Sequence, residues 1–332
     1  MRRREFIAVL LSAISGGSAQ AQGSRKVPHI AIVDPTTTVD KTTEAAGGPL
    51  YRGLFEELHR RGYVEGGNLL IERFSAEGQG EHYPDLARDV VSRNPDLIFE
   101  IGTRLLIALK AATTTIPIVA VGADPVRMGV VNSLARPGGN TTGVSVDAGL
   151  EIVGKRLELL KEAFPGISKI AFLASRTLWE NTPYGGAARE AAERLNLGFI
   201  WSNDGPLVEE EYRRVFATLP RDVDAILVSE QAENFSHREL IVQLIEKVRL
   251  PAVYANRLFT EVGGLMSYGV DSVDVGRHCA DTIDQILKGS NPGEIPIYQP
   301  TKFELVINLK TAKAMGVTVP ATLVARADKV IE

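Results

Sequence analysis

Short apolar runs alternate with amphipathic helical stretches along most of the chain, and this alternation constrains the fold more than any other feature. Residues 27–33 form an apolar run that predicts a buried strand ending at Asp34. Residues 49–61 then place Leu50, Leu54 and Leu58 on one helical face, and Gly62 is the stop. Further strands are expected over 68–74, 96–101 and 116–121, with helices over 85–93, from Thr103 and from Pro125. The pattern restarts with a helix over 151–164. Strands over 169–174, 199–201, 224–228 and 251–255 follow, separated by helices over 184–195, 209–219 and 239–248. Alternation of this kind implies parallel sheets covered by helices on both faces.

A chain of 332 residues exceeds what one core usually fills, so two lobes are expected. The halves echo each other: Pro95-Asp96-Leu97-Ile98-Phe99 resembles Val223-Asp224-Ala225-Ile226-Leu227, and Ile116-Pro117-Ile118-Val119-Ala120 resembles Leu250-Pro251-Ala252-Val253-Tyr254. The Gly- and Pro-rich segment 136–143 carries turn residues without periodicity and reads as a crossing between lobes. Segments 263–269 and 296–300 are the second and third candidate crossings. The expected division is 28–143 plus 270–297 for one lobe and 144–269 plus 298–332 for the other, hinged so that they open and close.

Arg2, Arg3 and Arg4 precede a short apolar stretch over 6–14, then Ser15-Gly16-Gly17-Ser18 and Ala19-Gln20-Ala21. This is the pattern of a secretory signal peptide, residues 1–21, cleaved after Ala21. Arg3-Arg4-Glu5-Phe6-Ile7 also resembles the twin-arginine export motif, so the route is either Tat or Sec. The expected location is the periplasm. A net charge of −4, with no Lys/Arg-rich run, gives no electrostatic footprint for nucleic acid. The single cysteine, Cys279, excludes an internal disulfide and a Cys-rich zinc site.

Enzyme signatures are missing. The sequence has no phosphate-binding G-x-x-x-x-G-K-[ST], no G-x-G-x-x-G opening a helix and no G-x-S-x-G elbow. The histidines, at 29, 59, 82, 237 and 278, form no close metal-ligand pair. No catalytic residue, metal or cofactor is therefore expected. In doubly wound sheets ligands sit at the carboxyl ends of the strands, where helix N-termini also favour a carboxylate. These positions nominate Asp34, Thr103, Asp124, Ser175, Glu230 and Asn256, with Tyr268 and Asp271 at the second crossing. Thr103 and Ser175 can hold a ligand carboxylate, and Asp124 and Glu230 an ammonium. Asp124 before Pro125 equally fits a helix cap followed by its first residue. Trp179 and Tyr184 either wall the cleft or cover the lobe.

Several longer stretches carry a resemblance. They are Val121-Gly122-Ala123-Asp124-Pro125-Val126, the run from Ser133 through Arg136-Pro137-Gly138-Gly139-Asn140 to Gly143, Gly263-Gly264-Leu265-Met266-Ser267-Tyr268-Gly269, and the run from Gln299 through Phe303-Glu304-Leu305-Val306-Ile307-Asn308 to Ala312. Together with the ending Arg326-Ala327-Asp328-Lys329-Val330-Ile331-Glu332, they resemble the ABC-transporter substrate-binding family that includes the tryptophan-type binding proteins. The resemblance implies a type I periplasmic-binding-protein fold, α/β, with two Rossmann-like lobes joined by three crossings. It also implies a monomer that delivers a small ligand to an inner-membrane ABC permease, with aromatic amino acids as the family's described ligands. The loop 175–184 departs from the Asn-Pro-rich form common in the family. A periplasmic sensory protein, presenting its ligand to a membrane receptor, is the alternative, because the fold is common to both.

Overall fold

The computed structural model describes residues 26–202 and 205–332, so the expected leader lies outside the described residues. The first sheet contains β1 (His29–Asp34), β2 (Leu70–Ser75), β3 (Leu97–Ile101), β4 (Ile118–Gly122) and β5 (Thr141–Ser145). Its order is β2-β1-β3-β4-β5, parallel throughout. The second sheet contains β6 (Lys169–Leu173), β7 (Gly198–Trp201), β8 (Ala225–Val228), β9 (Ala252–Tyr254), β10 (Met266–Val270), β11 (Phe303–Asn308) and β12 (Lys329–Ile331). Its order is β12-β11-β10-β9-β8-β6-β7, parallel except where β11 runs against β10.

Each sheet is buried on both faces, as continuous apolar strands require. On β1, Ile30 and Ile32 pack to one side and Ala31 and Val33 to the other. In the second lobe Phe172 and Leu227 pack on one side, Leu173, Ile226 and Val228 on the other. The helix Ser272–Leu287 leaves the second sheet and returns to the first lobe, where it packs on the helix Gly48–Arg60. It buries Val275, Cys279 and Ile283 at helical spacing, the Val and Ile side chains each contributing roughly 1.5–3 kcal/mol. The two helices approach closely at glycines. A Cβ on Gly53 would stand 2.3 Å from the Val273 carbonyl oxygen, and one on Gly276 would stand 2.1 Å from that of Leu50.

The chain crosses between the sheets three times, though not all at the expected places. Segment 136–143 is no crossing: residues 141–145 are β5, which pairs with β4 from Ile118↔Thr141 to Gly122↔Ser145. The lobe boundary expected after Gly143 therefore falls inside a strand, and the chain leaves the first sheet after Ser145. Most of 263–269 belongs to β10, and the second crossing follows at Asp271. The third, near Tyr298, lies where expected; Tyr298 donates its N–H to Gly143, and Asp271 donates to the Lys302 carbonyl beyond it. No helix starts at Pro125. Asp124 adopts a left-handed φ of 43°, and Gly129 at φ 68° ends the segment after one turn.

Candidate functional site

The carboxyl ends of the two sheets face each other, and the lobes touch there. Arg104, in the first-lobe helix Thr103–Ala112, lies 3.7 Å from Glu233 of the second-lobe helix Ala232–Ser236. The Asn256 amide reaches Ser272 Oγ at 3.4 Å. Gly78 sits beside Ser236 at ordinary contact distance, and Gly48 lies tightly against the Leu258 side chain.

Most of the nominated residues turn out to hold their own loops. Asp34 is buried; Oδ1 accepts from the Thr36 and Thr37 N–H groups at 2.9 and 2.8 Å, and Oδ2 from the Tyr51 hydroxyl at 2.9 Å. The Thr103 hydroxyl staples the β3 and β4 ends together through the Ala123 N–H and carbonyl, at 3.0 and 3.1 Å. Asp124 accepts the Arg127 N–H at 3.1 Å and pairs with its guanidinium at 2.5 Å. Asn256 caps with the Leu258 N–H at 2.9 Å, and Asp271 with those of Val273 and Asp274 at 2.9 and 3.2 Å. Ser175 accepts from the Leu178 N–H at 3.2 Å and from the Gln231 amide at 2.9 Å, while Gln231 takes the Ser175 N–H at 2.8 Å. Trp179 covers the lobe: it packs on Phe172 and Phe199, with Arg189 stacked over it at 4.6 Å.

Glu230, Tyr268 and Tyr184 do come together, around a residue the sequence reading passed over. Arg156 lies in the helix Glu151–Ala163 and is only 1% exposed. It donates Nε to the Tyr268 carbonyl at 2.8 Å, Nη1 to the Tyr184 hydroxyl at 2.7 Å and Nη2 to Glu230 at 3.0 Å. Glu230 itself remains 45% exposed. The Tyr268 ring stacks on Phe303. Burial holds the Tyr184 hydroxyl well above the usual tyrosine range, so it stays neutral. Arg156 was visible in principle, because it interrupts the buried stripe Ile152, Val153, Leu157, Leu160 with a charge.

In the first lobe Glu100 is fully buried on β3, and neither carboxyl oxygen has a hydrogen-bond partner. Burial, and then the Asp34 charge, raises its pKa well above the carboxylate range. A groove of about 560 Å³ beside the hinge is lined by Arg257, Asp271, Lys302, Glu304 and Lys329. Its main charges are already matched, Arg257 with Glu261 and Glu304, Lys302 with Asp274. Among the described residues no group of His, Cys, Asp or Glu has the geometry of a metal site, and no helix is long and apolar enough to cross a membrane.

The ABC transporter substrate binding protein family matches residues 45–331. The chain belongs to that family. It is 26% identical over 265 residues to a tyrosine-binding protein of Clostridioides difficile, covering 80% of this chain and 75% of that one. Among solved structures it resembles an ABC domain from Streptococcus pneumonia in complex with L-Trp, with TM-score 0.77, 25% identity and coverage of 92% and 99%. A conserved domain protein of Vibrio cholerae gives TM-score 0.79 at 27% identity, with coverage of 92% and 100%. As a member of this substrate-binding family the chain has the type I periplasmic-binding-protein fold expected of it, with two lobes of mainly parallel strands.

Proposed function

We propose that this protein is the periplasmic solute-binding component of an ABC importer, which closes its two lobes over an amino acid and hands it to a membrane permease. The observation that carries this reading is the half-exposed Glu230 carboxylate, held by Arg156 just beyond the carboxyl end of β8, at the end of the sheet where the two lobes meet through Arg104 and Glu233. An anionic acceptor in that position suits an ammonium group. A zwitterion is favoured over an apolar solute, which would bury the second Glu230 oxygen without a partner at a cost of roughly 1–3 kcal/mol. An aromatic side chain is favoured by the similarity to proteins named for tyrosine and solved with L-Trp.

In this reading residues 28–145 with 272–298 move as one lobe against the remainder, the protein acts as a monomer, and residues 1–21 direct export. Mass spectrometry of the ligand that co-purifies with protein from the periplasm, followed by calorimetry with that compound, tests the proposal. An aromatic amino acid bound one to one is the expected result; a sugar or a hydrocarbon in its place would overturn it. N-terminal sequencing of periplasmic material is expected to begin at Gln22, and recovery only of full-length cytosolic protein refutes export.

A further inference from the structure

Arg156 raises a question of charge that the fold alone does not answer. Arginine is almost never fully buried without a partner, because an isolated buried charge is costly. The carboxylate it meets is Glu230, and that carboxylate is not itself buried. The pair therefore spans the lobe surface, with the cation beneath and the anion at the opening.

The geometry fixes both members. Arg156 is held by the Tyr268 carbonyl on β10 and by the neutral Tyr184 hydroxyl, so its fork cannot swing. One Glu230 oxygen is committed to Nη2, which leaves the other as an acceptor at the carboxyl end of β8. A free glutamate on a surface samples many rotamers, and ordering it on binding costs conformational entropy. Here that ordering is done before the ligand arrives. The outward oxygen can only accept, so an ammonium gains a charge-assisted hydrogen bond there while a carboxylate is repelled.

We propose that Arg156 is a positioning residue that sets amine selectivity: without touching the ligand, it aims the outward Glu230 oxygen at the ligand's ammonium. This inference rests on the reading that the cleft holds an amino acid. Its distinctive consequence is that Arg156 controls discrimination between an amino acid and its deaminated analogue, and not stability alone.

Calorimetry with L-tyrosine and 3-(4-hydroxyphenyl)propionate tests it, using the wild type, Glu230→Gln, Arg156→Lys and the double variant. Gln at 230 can still accept from Arg156, and Lys at 156 keeps the buried charge while losing the fork. The wild type is expected to prefer L-tyrosine. Glu230→Gln should lower L-tyrosine affinity by about tenfold or more and collapse the preference. Arg156→Lys should reduce the preference in the same direction, and the double variant should lose no more than Glu230→Gln alone. A purely structural Arg156 would lower the melting temperature of Arg156→Lys with the preference intact, and that result overturns the inference. Losses that simply add in the double variant also overturn it. Failure of the wild type to bind any amino acid would sink the functional reading, and this inference with it; wild-type binding with an unchanged preference in the variants sinks this inference alone.

Discussion

Arg104 and Glu233 face each other 3.7 Å apart, one on each lobe. Both are partly exposed, so the attraction is screened and such a pair contributes roughly 0.2–1 kcal/mol. That is small against folding, and a fraction of the few kcal/mol that typically separates two conformations of one protein. A pair that spans the two lobes is expected to act as a weak latch on this arrangement.

Arg104→Glu is therefore expected to shift the ligand-free protein toward the open form. Small-angle scattering should show a larger radius of gyration than for the wild type. The double exchange Arg104→Glu with Glu233→Arg should restore the smaller value, and high salt should erase the difference. An unchanged profile in the single variant at low salt would count against the latch.

Asp124 tests cap against contact. Its carboxylate serves the Arg127 N–H and guanidinium, and its backbone is left-handed. Asn tolerates that conformation and can still accept the N–H, whereas Ala does neither. Asp124→Asn should leave melting temperature and amino-acid affinity close to wild type. Asp124→Ala should lose about 1 kcal/mol of stability or somewhat more, with affinity little changed. A tenfold affinity loss in Asp124→Asn would make it a ligand partner after all.

The alternation of strand and helix is legible because β1, β3, β4, β6 and β8 are buried on both faces, which demands apolar runs, broken within a strand only by Glu100 on β3. β5 was not, because Thr141-Thr142-Gly143-Val144-Ser145 is buried through hydrogen bonds and close backbone contact. Thr142 donates to the Ile295 carbonyl at 2.8 Å, and Gly143 lies against the Ala120 backbone. Segment 303–308 reads in the sequence as a motif rather than as a strand, since antiparallel pairing with β10 falls outside the strand-then-helix pattern. The nominated residues do lie at or just beyond the strand ends, and most of them also bond their own loops. Ser, Thr, Asp and Asn are the residues that cap helices and also the residues that bind ligands, so type and position alone do not separate the two. Arg156 escaped because its partners lie 28, 74 and 112 residues along the chain.

Glu100 gives a pH prediction of unusual sign. Its folded pKa is raised, so the native state holds a proton that the unfolded chain releases above about pH 4.3. Stability must then fall as pH rises from that value toward the folded pKa, at a cost of about 1.4 kcal/mol for each unit of elevation. Glu100→Gln mimics the protonated form. It should melt above the wild type at pH 7.5 and close to it near pH 4. A variant that is less stable than wild type at pH 7.5 would show that the carboxyl has a role in the folded state that burial does not reveal.

Asp274 carries the opposite sign, at the hinge. It sits in the helix after the second crossing, while its partners Tyr298 and Lys302 sit in the third. Their hydroxyl and ammonium reach its two oxygens at 2.9 and 2.8 Å. His278 lies 3.5 Å from the carboxylate and stacks flat on Tyr298. Burial pushes the Asp274 pKa up, but the Lys302 and Tyr298 bonds and the His278 charge outweigh it, and the net direction is down. A carboxyl depressed in the folded state contributes stability above its unfolded pKa of about 3.9, and that contribution is lost as pH falls through the lower folded value. Asp274→Asn should therefore cost about 1.5–3 kcal/mol at pH 7, the range for hydrogen bonds to a charged group. The gap to wild type should narrow as the pH drops below about 4. Urea midpoints of both proteins at neutral and acid pH measure it. A gap of the same size at both would mean that shape and neutral hydrogen bonding, rather than the carboxylate charge, hold the two crossings together.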